Sequence, residues 1–206
     1  MRWILPAVLA LCLFLSPSLA SGESLPLLDA SCVASRFVSN PRNVKDIGDP
    51  MVVCTEEGYL VFATGGPIGF NVWSSPDLIA FDKTKALKKV AWASGDYWAP
   101  EVYPVEDRWV MLFTARERAS GSLRTGIAFA DAAAGPYEDP LGRPLFDLGY
   151  ATIDATLTYD DAGKPYLIYV RDCSENVVDA RNESHIYGAA LSDDLLSLEG
   201  EPVLLL

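Results

Sequence analysis

Histidine is almost missing from this 206-residue sequence, which contains only His185. A Ser-His-Asp triad needs a histidine beside a nucleophile, and histidine-rich metal sites need several. A single histidine is more often structural than catalytic. We therefore expect chemistry that uses neither a metal nor a cofactor.

Positive charge is also scarce, because 28 Asp and Glu residues outnumber 16 Lys and Arg, giving a net charge of −12 and a pI of about 4.4. Nucleic-acid binding requires a basic face, and peripheral membrane attachment requires a polybasic patch. We expect neither partner, and we attribute the acidic excess to solubility.

One long apolar run is present, and it stands at the start of the chain. Arg2 precedes a nearly unbroken apolar stretch from residue 3 to 15, and Ser18-Leu19-Ala20 has the small-x-small pattern of a cleavage site. The stretch is too short to span a bilayer and has the order of a secretory signal. It predicts a signal peptide over residues 1–20 and a secreted, extracellular chain over 21–206.

Cysteine is sparse. Cys12 falls inside the predicted signal peptide, which leaves Cys32, Cys54 and Cys173 in the exported chain. An oxidising compartment permits a disulfide, and three cysteines leave one unpaired. A Cys32–Cys54 pair is compatible with the sequence, which does not decide the pairing. The odd thiol is expected to be buried and inert, or else to have lost its partner.

Amphipathic helices of useful length are absent from the pattern, which instead repeats short apolar strands separated by Gly, Pro and Asp turns. Three units, near 46–85, 97–140 and 150–200, each run through a strand, a turn, an aromatic strand, a loop and a further strand. Several strands per unit of about 40–50 residues are typical of β-propeller blades. The sequence thus predicts an all-β propeller with about three blades, and residues 203–206 as the start of a fourth unit. A β-sandwich is the alternative.

An acid recurs with this period. Asp49, Glu101 and Asp154 are separated by 52 and 53 residues, and each enters an apolar run. A sandwich gives no reason for such a period. In a propeller the innermost strand of each blade lines the central channel, so the three acids are expected to meet in one pocket.

Carboxylates that share a pocket shift each other's pKa values, which separates acid from base roles. Aromatic residues flank the middle acid, and Tyr97, Trp98 and Tyr103 could stack on a sugar ring. Two carboxylates with an aromatic platform are the equipment of glycoside hydrolysis, in which one activates water and the other protonates the leaving oxygen.

At these residues the chain resembles glycoside hydrolase family 43, which comprises five-bladed propeller arabinanases, arabinofuranosidases and xylosidases. The likeness runs from about residue 46 to the end. The matching strings are Gly48-Asp49-Pro50, Trp98-Ala99-Pro100-Glu101, Ala133-Ala134-Gly135-Pro136-Tyr137, Ile153-Asp154-Ala155 and Asp160-Asp161-Ala162-Gly163-Lys164-Pro165-Tyr166-Leu167.

The resemblance implies inverting hydrolysis of O-glycosidic bonds in arabinose- or xylose-containing plant polysaccharides. It implies that Asp49 is the general base that activates water, and that Asp154 orients the general acid and tunes its pKa. It also implies that Trp98 and Glu101 line the sugar site.

The chain departs from the family at the general acid, a glutamate that the family carries in a Glu-Gly-Pro motif of the fourth blade. Glu199-Gly200-Glu201-Pro202 is similar but follows the third unit too soon, and we interpret it as a surface turn. The sequence therefore predicts a hydrolase that is truncated before its general acid and is inactive or nearly so. It also predicts an open strand edge that promotes self-association. The alternative is a non-catalytic carbohydrate-binding or decayed propeller protein.

Overall fold

The computed structural model describes residues 48–206 and places most of them in β-strands; the predicted signal peptide and Cys32 lie outside this range. The strands are β1 (Met51–Thr55), β2 (Gly58–Phe62), β3 (Gly69–Ser75), β4 (Asp82–Lys88), β5 (Ala93–Val105), β6 (Arg108–Glu117), β7 (Leu123–Ala130), β8 (Thr152–Tyr159), β9 (Pro165–Arg171), β10 (Val177–Val178), β11 (Arg181–Asn182), β12 (His185–Leu191) and β13 (Leu198–Leu204). One 3₁₀ turn, Cys173–Glu175, follows β9.

The strands form three larger antiparallel sheets, ordered β1-β2-β3-β4, β5-β6-β7 and β13-β12-β9-β8, and a small β10-β11 hairpin. Each larger sheet follows chain order, as a propeller blade does. The first strands of successive sheets contact one another, β1 against β5 and β5 against β8. These contacts make β1, β5 and β8 the innermost strands, and the predicted all-β propeller is confirmed.

The second blade is buried on both faces because it lies between the other two. Strand β6 alternates its side chains between two cores. Met111 and Phe113 pack with residues of the first blade, whereas Val110 and Leu112 pack with residues of the third. This arrangement explains why the sequence around them is a continuous apolar run rather than an alternating one.

The ends of the blades differ from the sequence prediction. Residues 203–206 were expected to begin a fourth unit, and this is wrong, because Val203 and Leu204 pair with Gly188 and Tyr187 as part of β13. The predicted turn at residues 199–202 also lies within β13, although its exposure on the surface is as expected. Val203 and Leu204 are exposed on this edge strand, and self-association there stays a prediction.

The second blade has no fourth strand among the described residues. Instead Glu138 pairs with Phe129 of β7, and the adjacent Tyr137 forms a parallel bridge to Leu87 of β4. The Tyr137 N–H donates to Ala86 O at 2.7 Å. This segment thus closes the outer edge of the second blade and links it to the first.

Cys54 and Cys173 carry free thiols and are not bonded to each other. Cys54 is exposed and Cys173 is half-buried, so neither of these two is the buried thiol that the sequence suggested. Within residues 48–206, no helix is long and apolar enough to cross a membrane.

Candidate active site

The same backbone irregularity recurs within or just before each innermost strand. Asp49, Ala99 and Asp154 have φ angles of 48°, 43° and 52°, in the left-handed region that non-glycine residues seldom occupy. The strand register shifts at Ala99 in β5 and at Asp154 in β8, whereas Asp49 lies two residues before the start of β1. Such bulges redirect a side chain and are common beside active sites.

This geometry corrects the predicted register of the acids. The second-blade counterpart of Asp49 and Asp154 is Ala99, and Glu101 lies two residues further along β5. Asp49 and Asp154 are therefore equivalent to each other, and Glu101 is equivalent to neither. The spacing missed this because a bulge adds a residue to one strand without changing the sequence pattern.

Two threonines fasten these irregular residues to the neighbouring blade. Thr64 Oγ1 donates to Asp49 Oδ2 and accepts the Ala99 N–H at 3.0 Å. Thr114 Oγ1 accepts the Asp154 N–H at 3.2 Å. Each threonine lies fifteen residues after the left-handed residue of its own blade. The carboxylate of Asp49 is thus oriented through a hydroxyl that also holds the second blade.

Asp154 lies in a region of negative charge. Its pKa is raised, first by the loss of solvent around its carboxyl group and then by the charges of Asp49, Asp172 and Glu101. The residue as a whole is still exposed, so the carboxyl group is partly desolvated but accessible. Two of the acids predicted from the sequence, Asp49 and Glu101, are thus among the charges that act on the carboxyl group of Asp154.

Asp172 was not found from the sequence. It follows β9, and its N–H donates to Ala151 O at 2.9 Å, which places it beside the start of β8. Its carboxylate accepts hydrogen bonds from the Ser174 N–H and hydroxyl. The available signal was an acid directly after the aromatic second strand, because that strand ends where its antiparallel neighbour β8 begins.

Glu101 joins two blades. Its Oε2 accepts hydrogen bonds from the Tyr103 hydroxyl and from Thr156 Oγ1 of β8, the latter at 3.1 Å. The two hydroxyl oxygens are 2.7 Å apart. Burial, followed by the hydrogen bond to Glu101, raises the pKa of Tyr103 to about 12. The predicted role of Glu101 in sugar binding stays a prediction.

The three predicted stacking residues differ in their surroundings. Trp98 is half-buried and lines a cleft of about 380 Å³ between the first two blades. Residues 65–67 and 94–96 and Arg116 complete the lining; we call it the Trp98 cleft. Tyr97 is fully buried, where it stacks on Phe113 and accepts the Val90 N–H. The idea that Tyr97 stacks on a sugar is therefore wrong.

His185 lies in β12, and its Nε2 is 3.2 Å from Glu183 Oε2. Among residues 48–206, no group of three or more His, Cys, Asp and Glu side chains is arranged to hold a metal ion.

A propeller whose inner strands carry carboxylates, with a cleft lined by an indole nearby in the chain, is the arrangement expected of a glycoside hydrolase. The model of the family "Glycosyl hydrolases family 43" matches residues 38–206. The chain belongs to this family.

Three similar proteins illustrate the relationship. A solved structure of a thermostable family-43 glycoside hydrolase shares 38% identity at a TM-score of 0.72, covering 78% of this chain and 53% of that one. The xylosidase/arabinosidase 43A of Humicola insolens is 29% identical over 40% of this chain and 24% of its own. The beta-D-galactofuranosidase xynD of Aspergillus niger is 28% identical over 64% of this chain and 40% of its own. The chain thus spans about half or less of each relative.

Proposed function

We propose that the chain carries the water-activating part of the active site of a secreted, inverting glycoside hydrolase that acts on arabinose- or xylose-containing plant polysaccharides. The observation that carries this proposal is the exposed Asp49 carboxylate, which Thr64 holds by Oδ2 and whose charge acts on the carboxyl group of Asp154. In the described part of the chain Oδ1 makes no hydrogen bond, so it can accept one from water.

In the proposed reaction, a water oxygen attacks the anomeric carbon while Asp49 takes up the water proton. The bond between that carbon and the glycosidic oxygen breaks, and a general acid protonates the leaving oxygen. Attack from the face opposite the leaving group inverts the anomeric configuration. Asp154, fixed through its N–H to Thr114, acts as the orienting carboxylate that tunes the acid.

We assign the general acid to no residue in 48–206. Glu199, which begins the Glu-Gly string of the sequence, lies in β13, the strand of the third sheet furthest from β8. Its carboxylate is paired with Lys164 Nζ at 2.8 Å. We propose instead that a residue outside the described range supplies the proton.

A second candidate function is carbohydrate binding without turnover. The position of Trp98 in the wall of a cleft favours it, because a half-buried indole combines an apolar ring with a polar N–H. Such a group suits a sugar whether or not a general acid is present. Saturable glycan binding that is lost in Trp98→Ala, without any turnover, would support this candidate.

The test needs a form of the protein that turns over arabinan or arabinoxylan, because no residue in 48–206 is assigned as the general acid. It measures the release of reducing sugar and, by NMR, the anomer first formed. Asp49→Asn keeps the size of the side chain, and asparagine tolerates the left-handed backbone. Its rate is expected to fall by about 10²-fold or more, as for loss of a general base. Asp161→Asn, an exposed acid in the turn between β8 and β9, is the matched control. Retention of configuration, or an equal rate in Asp49→Asn, would refute the proposal.

Secretion is tested separately. The intact mass of the deglycosylated protein from its source is expected to match a chain that begins at Ser21. A mass that includes residues 1–20 would refute cleavage of the predicted signal peptide.

A further inference from the structure

One Asn-x-Ser triplet, Asn182-Glu183-Ser184, stands apart from the candidate active site. Of the five asparagines in the sequence, Asn182 alone has a serine or threonine two positions further on. The residue between them is not proline, so the triplet has the acceptor pattern for an N-linked glycan, which is a group carried on the surface of secreted proteins. Exposure of Asn182 in the fold is therefore the first requirement.

Asn182 lies in β11, which forms a short hairpin with β10 between β9 and β12. The turn of the hairpin consists of Asp179 and Ala180, with φ angles of 48° and 63°. Two successive left-handed residues are typical of the tightest hairpin turns. No residue in 177–182 is buried. A large group attached to this hairpin would therefore displace no packed side chain.

The side chains of Asn182 and Ser184 are both accessible. Both residues are exposed, and within residues 48–206 neither the Asn182 amide nor the Ser184 hydroxyl makes a hydrogen bond. Glu183 is held instead, because its N–H donates to Asn176 O at 3.0 Å and its Oε2 lies 3.2 Å from His185 Nε2. Alternate residues of an extended chain point to opposite sides, so Asn182 and Ser184 share the side that faces solvent.

Asn176, at the base of the same hairpin, shows the contrast. It is only 3% exposed, and its Nδ2 donates to Glu183 O at 2.8 Å. Val178 occupies the position two residues further on, so the acceptor pattern is missing there as well. Asn176 thus has a structural role, whereas the side chain of Asn182 contributes nothing to the packing of the described chain.

An exposed apolar side chain lies directly across from Asn182. Val177 pairs with Asn182 in the β10–β11 ladder, and 65% of its surface is exposed. Directly opposed residues of antiparallel strands have Cβ atoms about 4.5–5.5 Å apart and side chains on the same face. The first sugar of a glycan on Asn182 can therefore cover Val177, which is otherwise left largely in solvent.

We propose that Asn182 is a modification site that carries an N-linked glycan, whose first sugar packs over Val177. The donor is an oligosaccharide bound to a lipid through a diphosphate. The amide nitrogen of Asn182 bonds to the anomeric carbon of the first sugar and gives up one proton. The bond between that carbon and the diphosphate oxygen breaks, and the diphosphate leaves with its electron pair. This inference rests on the proposed secretion but is independent of the proposed catalysis.

The experiment uses the full chain isolated from its source. Its peptides are treated with peptide N-glycosidase in water that contains heavy oxygen, which labels a formerly glycosylated asparagine, and are analysed by mass spectrometry. We expect the label at Asn182 and at no other asparagine. The N-terminal peptide of the same digest reports whether residues 1–20 have been removed.

Variants secreted from yeast test the assignment to this triplet. Asn182→Gln and Ser184→Ala should each abolish the loss of mass on deglycosylation. Ser184→Thr keeps the acceptor pattern, and Arg181→Lys changes an exposed neighbour outside it, so both should match the wild type. Deglycosylation should lower the Tm of the wild type more than that of Val177→Ser, because only the wild type then exposes an apolar side chain.

Three results would overturn the proposal. They are an unlabelled Asn182 in a chain that has lost residues 1–20, a loss of mass that persists in Ser184→Ala, or an equal change of Tm in Val177→Ser. An unlabelled Asn182 in a chain that retains residues 1–20 refutes the proposed secretion together with the glycan. A labelled Asn182 in a protein that does not turn over polysaccharide refutes catalysis and leaves the modification site intact.

Discussion

The N–H of Asp154, in the innermost strand of the third blade, donates a hydrogen bond to Thr114 Oγ1 of the second blade at 3.2 Å. In the same way, Thr64 Oγ1 of the first blade accepts a hydrogen bond from the Ala99 N–H of the second blade. The blades are therefore joined at their inner ends by a repeated contact between a hydroxyl group and an amide.

Removal of the Thr114 hydroxyl tests this joint. Thr114 is buried, with 1% of its surface exposed. Thr114→Val keeps the shape but leaves the Asp154 N–H without its acceptor, so the free energy of unfolding should fall by about 1 kcal/mol. Urea unfolding measures it. Thr158→Val, an exposed site on the same strand as Asp154, is the control, and an equal loss there would contradict the assignment.

The Tyr103 hydroxyl should be a second joint between blades. Tyr103→Phe removes the donor to Glu101 and the contact with Thr156, and is expected to cost about 1–2 kcal/mol of unfolding free energy. A double-mutant cycle with Thr156→Val should show that the two losses are not additive. Additive losses would mean that the hydroxyls act independently. Tyr166→Phe, on the neighbouring strand β9, provides the control.

The same tyrosine should make stability depend on alkaline pH. Its pKa of about 12 in the folded protein lies above the ordinary value of 10.0. As the pH rises from about 10 to 12, only the unfolded chain loses the proton, so stability falls across this interval. Tyr103→Phe should show a shallower decline in urea unfolding above pH 10. A slope identical to that of the wild type would contradict the shift.

Asp154 should lower stability at neutral pH. Its raised pKa means that the folded protein holds the proton more tightly than the unfolded chain does. That stabilisation is complete in acid and is lost as the pH rises through the raised pKa. Asp154→Asn removes the ionisation, so its unfolding midpoint should exceed that of the wild type at pH 7 and approach it at low pH. A lower midpoint at pH 7 would show that the carboxylate has a stabilising partner.

Ala99 should be under backbone strain. At a φ of 43° an alanine is disfavoured and a glycine is not, so Ala99→Gly should stabilise the protein by about 0.5–1 kcal/mol. Ala155→Gly, one residue beyond the left-handed position in the third blade, should instead destabilise it by about 0.5–1 kcal/mol. Differential scanning calorimetry of both variants checks the contrast, which would disappear if Ala99 were unstrained.

The sequence predicted the propeller and the proximity of Asp49 to Asp154. Both follow from the lengths of the strands and the positions of the turns, which are determined by nearby residues in the chain. It misplaced Glu101 by two positions, since a bulge changes register without a sequence signal. It did not separate Tyr97 from Trp98, which are adjacent but face the core and the cleft respectively. Their burial depends on which blade lies against each face.

The position of Asp172 and the salt bridge between Arg116 Nε and Asp96 Oδ2 could not be predicted from the sequence, for a different reason. Asp172 lies far along the chain from Asp49, and Asp96 and Arg116 lie on paired strands whose bulges set their contact. Such contacts depend on three-dimensional register, which one sequence does not specify.

The threonine joints have a direction. The accepting hydroxyl always belongs to the earlier blade, and the donating amide to the later one. A ribosome releases the chain from its N-terminus, so each acceptor emerges before the blade that needs it. Each new blade can therefore pack against a blade that has already folded, and the propeller can be assembled one blade at a time during synthesis.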